Sequence, residues 1–391
     1  MIIQIILTVV AFICAALIAY ALTPSVRVLA FKIGAIDVPL NSRRVHKKPI
    51  PRIGGLAIYI SFLITTAIFG DFSKTLITVW IGGGVLVLTG IIDDIFRLNA
   101  WIKLFIQIVT AIFAVLNGMQ IEGVYLGEYY SLGVFSIPLT IFWIVGLTNA
   151  INLIDGLDGL ACGITAIGTG SLFLVVLLKG DYINAVIFAI MLGSCLGFLP
   201  FNTNPARIFM GDTGALFLGY AMAIFSISGT FKLHTMLSFL IPIIIFAIPI
   251  FDTLFSIIRR LIKKQSPFKP DRGHIHHKLL DMGFTQKETV NILYCSCGIM
   301  GLVAVCFTEI LPETGKIVKV IAIAIIALIL LVLNYNILKN PYGRKHSGLI
   351  ENDMTIEEYL NEIGEEKAKK IIKHNGGNAD DYKKIDENKK E

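Results

Sequence analysis

Two adjacent acids, Asp93 and Asp94, stand at the end of an apolar run, where ionisable side chains are costly and usually functional. Neighbouring carboxylates at a helix end cannot both point the same way. One can therefore reach a metal or a substrate phosphate while the other hydrogen-bonds or acts as a base. A hydrated helix C-terminus is the alternative, but negative charge there opposes the helix dipole. We predict that both acids are catalytic, and that Arg97 and Lys103, which follow closely, can neutralise phosphate.

A second acidic segment is rich in glycine and runs from Asn149 to Leu160. Asn152, Asp155 and Asp158 are three apart, which on a helical turn places them on one face. Oxygen-only donors of this kind suit Mg²⁺, which keeps several waters and takes substrate phosphate as a further ligand. A polar cap that breaks a helix is the alternative interpretation.

A third segment, from Phe201 to Gly214, has an aromatic residue and an acid, Phe209 and Asp212, beside the start of another apolar run. Asp212 stands where this run begins, so a helix N-terminus flanked by Gly211 and Gly214 can accept an anion beside a metal. Phe209 can stack on a nucleobase, and an ordinary aromatic at the membrane surface explains it equally well.

Three histidines, His274, His276 and His277, lie next to Arg272 and Lys278. Imidazoles donate hydrogen bonds and can carry charge near neutral pH, so among basic residues they favour the handling of phosphate. Zinc is an alternative, but no cysteine or second histidine cluster completes a tetrahedral site. A plain basic loop is the remaining alternative.

Basic residues also crowd the segment from Ser42 to Gly55. Lys48 and Arg52, beside prolines and a glycine pair, are the best candidates for contact with an anionic substrate. Anchoring of positive charge at the cytoplasmic membrane surface is an equally weighted alternative.

The elements that must position these groups are membrane-spanning helices. The chain is 55% hydrophobic and 16% charged, whereas soluble proteins carry about 25% charged residues. Its long apolar runs are apolar on all sides instead of amphipathic. The predicted fold class is an all-α, polytopic transmembrane bundle of about eleven spans. The predicted spans cover residues 2–22, 54–70, 75–92, 103–118, 134–151, 161–178, 184–200, 213–230, 236–258, 289–308 and 317–338.

Lysine and arginine predict the orientation of this bundle. They are concentrated in the loop after the first span and in the loop before the tenth, while alternate loops are nearly bare. The N-terminus is therefore expected outside and the C-terminus in the cytoplasm. All of the acidic and histidine segments then lie on the cytoplasmic face. This favours one site, because unrelated polar residues would scatter over both faces.

The chain changes character near its end. Residues 1–340 are predicted as one integral membrane domain, and residues 341–391 as a hydrophilic cytoplasmic tail. Within the tail, Thr355 and Glu358 have the spacing of a capping box ahead of a short amphipathic helix over 356–373.

The order of these motifs resembles the polyprenyl-phosphate N-acetylhexosamine-1-phosphate transferases over residues 1–340. The shared motifs are the basic loop with Pro-x-x-Gly-Gly, the Asp-Asp pair, Asn-x-x-Asn-Leu-x-Asp-Gly-Leu-Asp-Gly, Phe-Met-Gly-Asp-x-Gly and the histidine cluster. The resemblance implies a multi-pass plasma-membrane enzyme that depends on Mg²⁺, with Mn²⁺ as the alternative ion. The implied reaction converts UDP-GlcNAc, or another UDP-hexosamine, and undecaprenyl phosphate into undecaprenyl-diphospho-GlcNAc and UMP.

The resemblance also implies a role for each candidate residue. Asp212 is expected to be the principal magnesium ligand, with Asn152 nearby. Asp93 is expected to be the base or the phosphate-positioning carboxylate, and Asp94 its partner. The remaining candidates are expected to hold uridine (Asp155, Asp158 and Phe209) or to engage the diphosphate or the sugar (His274, His276 and His277).

Two branches of this group compete, and a transporter is the alternative outside enzymes. Muramoyl-pentapeptide transferases typically have Pro-Leu-His-His-His followed by an acid, whereas this loop reads Asp271-Arg-Gly-His-Ile-His-His-Lys. The loop, the span count and the polar tail resemble the GlcNAc-1-phosphate branch, which starts teichoic acids, O-antigens of lipopolysaccharide and other envelope glycans. The expected partners are the two substrates and membrane lipid, without nucleic acid; a homodimer is also considered.

Overall fold

The computed structural model describes residues 2–38, 49–125, 129–230, 240–266 and 273–307. Within these ranges the chain is mostly helical, with short connections. The helices are α1 (Ile2–Ile33), α2 (Gly55–Phe69), α3 (Lys74–Phe96), α4 (Ala100–Leu116), α5 (Ser136–Ile154), α6 (Leu160–Leu178), α7 (Tyr182–Asn202), α8 (Gly211–Thr230), α9 (Leu240–Ile245), α10 (Ala247–Ile262), α11 (Ile275–Asp281) and α12 (Gln286–Phe307).

Six helical segments within the described ranges are long and apolar enough to cross a membrane, judged by length and composition. They are Ile2–Ile33, Lys74–Phe96, Gly133–Ile154, Leu160–Leu178, Tyr182–Asn202 and Gln286–Cys306. The predicted helical membrane architecture is confirmed at this level. The predicted eleventh span, the tail over 341–391 and its short helix lie outside the described residues.

The first helix is longer than the predicted span, which was expected to end at residue 22. The Thr23 hydroxyl donates to the carbonyl of Ala19 at 2.7 Å, so this polar side chain is satisfied inside the helix. Val26 and Ala30 are buried beyond it. Polar and basic residues in this last part lower its hydropathy, and the helix continues because its packed face remains apolar.

The predicted ninth span, 236–258, is interrupted within its described part. α9 ends at Ile245 and α10 begins at Ala247, with Phe246 (φ −98°, ψ 20°) between them. Pro249 has no N–H to donate to the carbonyl of Ile245, which explains the interruption.

Two short antiparallel strand pairs accompany the helices, although no strand was predicted. β1 (Ile36–Asp37) pairs with β2 (Ile50–Pro51), and β3 (Gly123–Tyr125) pairs with β4 (Tyr129–Ser131). The first pair matters for function because it leads directly into Arg52 and the start of α2.

The core is built around α8, which packs against α2, α3, α5 and α6. Phe217 and Tyr220 of α8 are fully buried. The Tyr220 hydroxyl lies 3.4 Å from the carbonyl oxygens of both Thr78 and Thr110. α8 is thereby held on several sides. Its N-terminus, which begins at Gly211, lies in the site described below.

Candidate active site

The turn between α3 and α4 determines where the side chain of Asp93 points. α3 ends at Phe96 and is followed by Arg97, which adopts a left-handed conformation (φ 51°). Asn99 caps α4 by accepting a hydrogen bond from Trp101 N–H. The carboxylate of Asp93 accepts the N–H of Leu98 at 2.7 Å. The same turn that ends the helix therefore orients Asp93.

A lysine ammonium lies between two carboxylates. Lys103 Nζ is 3.0 Å from Asp93 Oδ2 and 2.9 Å from Asp212 Oδ2. The side chains of Asp93, Asp212 and Lys103 keep 12%, 16% and 23% exposure, so a ligand can approach them. The structure thus brings together three predicted site residues from α3, α4 and α8.

Asp94 turns to a different set of partners. Its Oδ2 accepts hydrogen bonds from the hydroxyl and the N–H of Thr213 at 2.8 and 3.2 Å, and its Oδ1 accepts the N–H of Asp212 at 3.3 Å. Its side chain is 0% exposed. The two aspartates therefore point apart, as predicted. However, the N-terminus of α8, expected to accept an anion beside a metal, already holds the carboxylate of Asp94 because its free N–H groups attract negative charge.

Close approach at this point requires glycine. Gly211 has φ 69°, and a Cβ there would overlap the carbonyl oxygen of Arg52 and crowd the carboxylate of Asp94. The extended segment before α2 also pairs with the segment before α8: Phe209 N–H donates to Pro51 O at 2.7 Å. This pairing holds the half-buried Phe209 in place.

Arg52 faces the acidic cluster from the same extended segment. Its Nε lies 3.6 Å from Asp94 Oδ1, and Nη1 lies 3.9 Å from Asp37 Oδ1. The guanidinium is partly exposed, at 29%, so it can meet an anion as well as the buried carboxylate.

The donors of the cluster fit a hard divalent ion. Asp93 and Asp212 already direct oxygens at one cationic nitrogen, and Mg²⁺ is usually bound by one or two carboxylates, waters and substrate phosphate. Among the described residues, no group of three or more His, Cys, Asp or Glu side chains is arranged to hold a metal ion. Water and substrate oxygens would therefore have to complete the coordination of an ion here.

The segment after α5 is not the helical turn that its spacing predicted. α5 ends immediately before Asp155, and α6 begins immediately after Gly159, whose φ is 77°. Of the three predicted donors only Asn152 is helical, so Asn152, Asp155 and Asp158 share no helical face. The glycines allow the chain to leave the helix, as the alternative interpretation of this segment expected.

Asp155 lies within electrostatic reach of the cluster. Burial raises the pKa of its carboxyl group to about 8, and the negative charges of Asp212 and Asp94 contribute to this rise. The residue keeps partial exposure. At neutral pH the group is therefore largely protonated, and it can donate a hydrogen bond.

Asp158 has a local partner. Its Oδ2 accepts hydrogen bonds from Asn204 Nδ2 at 2.9 Å and from Ala206 N–H at 3.1 Å, which stabilises the turn before Phe209. Among the described residues, no hydrogen bond is found between the Asn152 side chain and the carboxylates. The roles of Asp158 in uridine binding and of Asn152 in metal binding stay predictions.

The histidine motif packs against the turn that carries Asp155. His276 contacts Gly156, where its ring leaves no space for a Cβ. The rings of His274 and His276 are nearly parallel (7°) with centroids 5.8 Å apart, and the ring of His277 lies 4.3 Å from that of His276. The predicted histidine and acidic segments therefore meet.

The three histidines do not contribute equally. Burial lowers the pKa of His276 to about 4, and charge on His277 and His274 acts in the same direction. His276 is therefore neutral at pH 7, and its buried Nδ1 has no hydrogen-bond partner among the described residues. His277 is more exposed than the other two and better placed to meet an anion.

Two predicted residues, Lys48 and Arg272, lie outside the described residues, and two others were missed. Thr213 holds Asp94, and Asp252 hydrogen-bonds His274. The signal for Asp252 was present, because an acid inside an apolar run is costly and usually functional. A single threonine such as Thr213 carries no comparable signal.

Comparison with known proteins places these residues in a family. Residues 76–230 match the model of glycosyl transferase family 4. This range includes Asp93, Asp94, Asp155, Asp158 and Asp212, but neither Asp37 nor Asp252. It does not include Arg52 or the histidine motif.

Curated relatives match over a larger part of the chain. A probable undecaprenyl-phosphate N-acetylglucosaminyl 1-phosphate transferase of Bacillus subtilis is 44% identical over 73% of this chain and 81% of the relative. A decaprenyl-phosphate N-acetylglucosaminephosphotransferase of Mycolicibacterium smegmatis is 35% identical over 84% and 88%. An undecaprenyl-phosphate alpha-N-acetylglucosaminyl 1-phosphate transferase of Escherichia coli is 28% identical over 73% and 81%.

Proposed function

The chain belongs to glycosyl transferase family 4, and on this premise we propose that it transfers N-acetylglucosamine 1-phosphate from UDP-GlcNAc to undecaprenyl phosphate. The relatives are named for this type of transfer, which favours it over the muramoyl-pentapeptide branch and over a transporter. The observation that carries the proposal is the convergence of Asp93, Asp212 and Lys103 beside Arg52. Such a centre binds a cation and attracts phosphate.

The reaction forms one phosphorus–oxygen bond and breaks another. An oxygen of the lipid phosphate attacks the sugar-linked phosphorus of UDP-GlcNAc, and the bridging oxygen leaves with its electron pair on UMP. The acceptor is already anionic at neutral pH, so the site mainly has to neutralise charge and align the reactants. Lys103 and Arg52 supply positive charge, and Asp93 removes any proton that remains on the lipid phosphate.

We propose Mg²⁺ as the cofactor, with Asp212 as the principal ligand and Asp93 and Asn152 nearby. Both Asp93 and Asp212 are oxygen donors that already hold one cation. When bound, the ion supplies neutralisation of the diphosphate and stabilisation of the UMP leaving group. Asp94 acts indirectly, because it holds the α8 N-terminus from which Asp212 projects.

Uridine is proposed to bind over the turn between α5 and α6. The protonated carboxyl of Asp155 can donate a hydrogen bond to a uracil carbonyl, and the half-buried ring of Phe209 can stack on the base. His277, on the exposed side of the histidine motif, is proposed to meet the diphosphate or the sugar.

The active site is proposed to face the cytoplasm of a plasma-membrane protein. The support is the excess of lysine and arginine in the loops that carry the site. About eleven spans, an outside N-terminus and a cytoplasmic tail complete this proposal. A homodimer stays a prediction.

Asp212→Asn tests the proposed function. Membranes containing the protein are supplied with UDP-GlcNAc, undecaprenyl phosphate and a Mg²⁺ series, and both UMP and lipid-linked sugar are counted. We expect wild-type product to require the metal and the variant to lose roughly 10²–10³-fold in turnover, because loss of the principal ligand weakens the electrostatic stabilisation that the ion would supply at the reacting phosphate. The matched control is Asp71→Asn, at an exposed position before α3. Near-normal, metal-dependent turnover by Asp212→Asn would sink the metal assignment.

A further inference from the structure

Asp252 is a buried acid to which the proposed reaction assigns no role. It lies in the second turn of α10 and is 5% exposed. Its Oδ2 is 2.7 Å from Nδ1 of His274, and its Oδ1 accepts the N–H of Ile275 at 2.9 Å. Both oxygens are therefore engaged by the start of α11.

The hydrogen bond determines which nitrogen of His274 carries a proton. An ionised carboxylate only accepts hydrogen bonds, so Nδ1 has to be the donor. In the neutral ring, Nε2 is then an acceptor, and it is the one ring nitrogen that Asp252 leaves for another partner. A histidine without this carboxylate could exchange the two roles.

The position of His274 also bears on the proposed nucleotide-sugar pocket. Its ring lies nearly parallel to that of His276, whose ring contacts Gly156 beside Asp155. His274 is buried as well, so it has few alternative positions. His276 therefore separates His274 from the turn over which uridine is proposed to bind, which leaves His274 for a part of the donor other than its uridine.

We propose that Asp252 is a positioning residue that holds His274 in the Nδ1–H form, so that Nε2 accepts a hydrogen bond from a hydroxyl or the acetamido N–H of the transferred sugar. The proposal rests on the proposed function, because it names the sugar contact of the same site. His274 Nε2 is thus a single hydrogen-bond acceptor for the N-acetylglucosamine part of UDP-GlcNAc, away from its uridine.

Asp252→Asn reverses this hydrogen bond while it keeps the size of the side chain. The amide oxygen can still accept Ile275 N–H, whereas the amide NH₂ donates to Nδ1 and moves the imidazole proton to Nε2. We expect KM for UDP-GlcNAc to rise roughly 10–100-fold, by analogy with the loss of a carboxylate that orients a metal-binding histidine. The inhibition constant of UDP, which lacks the N-acetylglucosamine, should stay at the wild-type value.

The experiment compares Asp252→Asn, His274→Gln and the double variant in detergent-solubilised full-length protein. The matched control is Asp281→Asn, an exposed position at the other end of α11. Because Asp252 is proposed to act through His274, the double variant should be no worse than His274→Gln alone. If Asp252→Asn does not fold, His274→Gln alone should raise KM for UDP-GlcNAc without changing inhibition by UDP.

The outcomes separate the two proposals. No lipid-linked sugar from the wild type overturns the proposed function and this inference with it. An active wild type whose Asp252→Asn variant keeps a normal KM overturns this inference alone. Equal losses for UDP-GlcNAc and UDP, or additive effects in the double variant, identify Asp252 as a structural contact between α10 and α11.

Discussion

Substitution by asparagine should affect different properties at the adjacent acids Asp93 and Asp94. Asp93→Asn is expected to abolish activity and leave stability nearly unchanged, whereas Asp94→Asn is expected to lower stability. The reason is their partners. Asp93 shares Lys103 with Asp212 and is partly exposed. The side chain of Asp94 is fully buried and accepts hydrogen bonds from the first turn of α8.

The size of the effect follows from these contacts. Asparagine at 94 keeps one acceptor oxygen but turns an NH₂ group towards donors, so it loses about two hydrogen bonds to a charged group. At about 1.5–3 kcal/mol each, the free energy of unfolding falls by about 3–6 kcal/mol. Roughly 2 °C per kcal/mol then lowers the melting temperature by roughly 6–12 °C. For Asp93→Asn the loss is about 1 kcal/mol, because Lys103 keeps Asp212 and the new oxygen can still accept Leu98 N–H.

The assay is thermal unfolding in detergent, followed together with UMP release at saturating substrates. Asp93→Asn should melt within a few degrees of the wild type, by about 2–3 °C at most, while turnover falls at least about 100-fold. Asp71→Asn serves as the control for the chemical change itself. Equal melting shifts for Asp93→Asn and Asp94→Asn, or an Asp94→Asn variant as stable as the wild type, would refute the assignment of different roles.

Two further predictions concern Asp155 and orientation. The folded-state pKa of about 8 exceeds the usual value for an aspartate, so the folded protein binds the extra proton between about pH 4 and 8 and loses stability as pH rises through that range. The melting temperature of Asp155→Asn should therefore fall less steeply than that of the wild type between pH 5.5 and 8.5. Parallel curves of melting temperature against pH would contradict this. A cysteine at Ser266 should react with an impermeant maleimide only in inside-out vesicles, and one at Asp71 only in intact cells; the reverse pattern would contradict the orientation.

The sequence allowed the general character of the fold and most of the site to be predicted. Long apolar runs with few charges are compatible with little except membrane helices, since unpaired backbone groups are too costly in lipid. Acids at the ends of such runs are equally informative because their burial is costly. Asp93 and Asp212 were singled out on this basis and Lys103 because it follows the Asp pair closely, and the described structure brings the three together.

Details that depend on local backbone geometry were predicted less well. A spacing of three suggested one helical face for Asn152, Asp155 and Asp158, but Gly159 in the left-handed region ends that possibility. The ninth span was predicted from its apolar length alone, which did not predict the interruption at Phe246. Hydropathy averages over a window, so it registers neither a single missing N–H nor a single unusual φ.

What the sequence by itself determined is the membrane architecture, the family and the identity of the acids and bases at one end of the helices. Only the tertiary structure decided which partners each of these side chains has. Asp94 differs from Asp93 because α8 directs its free N–H groups at one neighbour and not the other. Asp252 contacts the histidine motif because α10 brings its carboxylate to the start of α11. Such partners are far apart in the chain, and a pattern along the chain carries no information about the pairwise distances that select them.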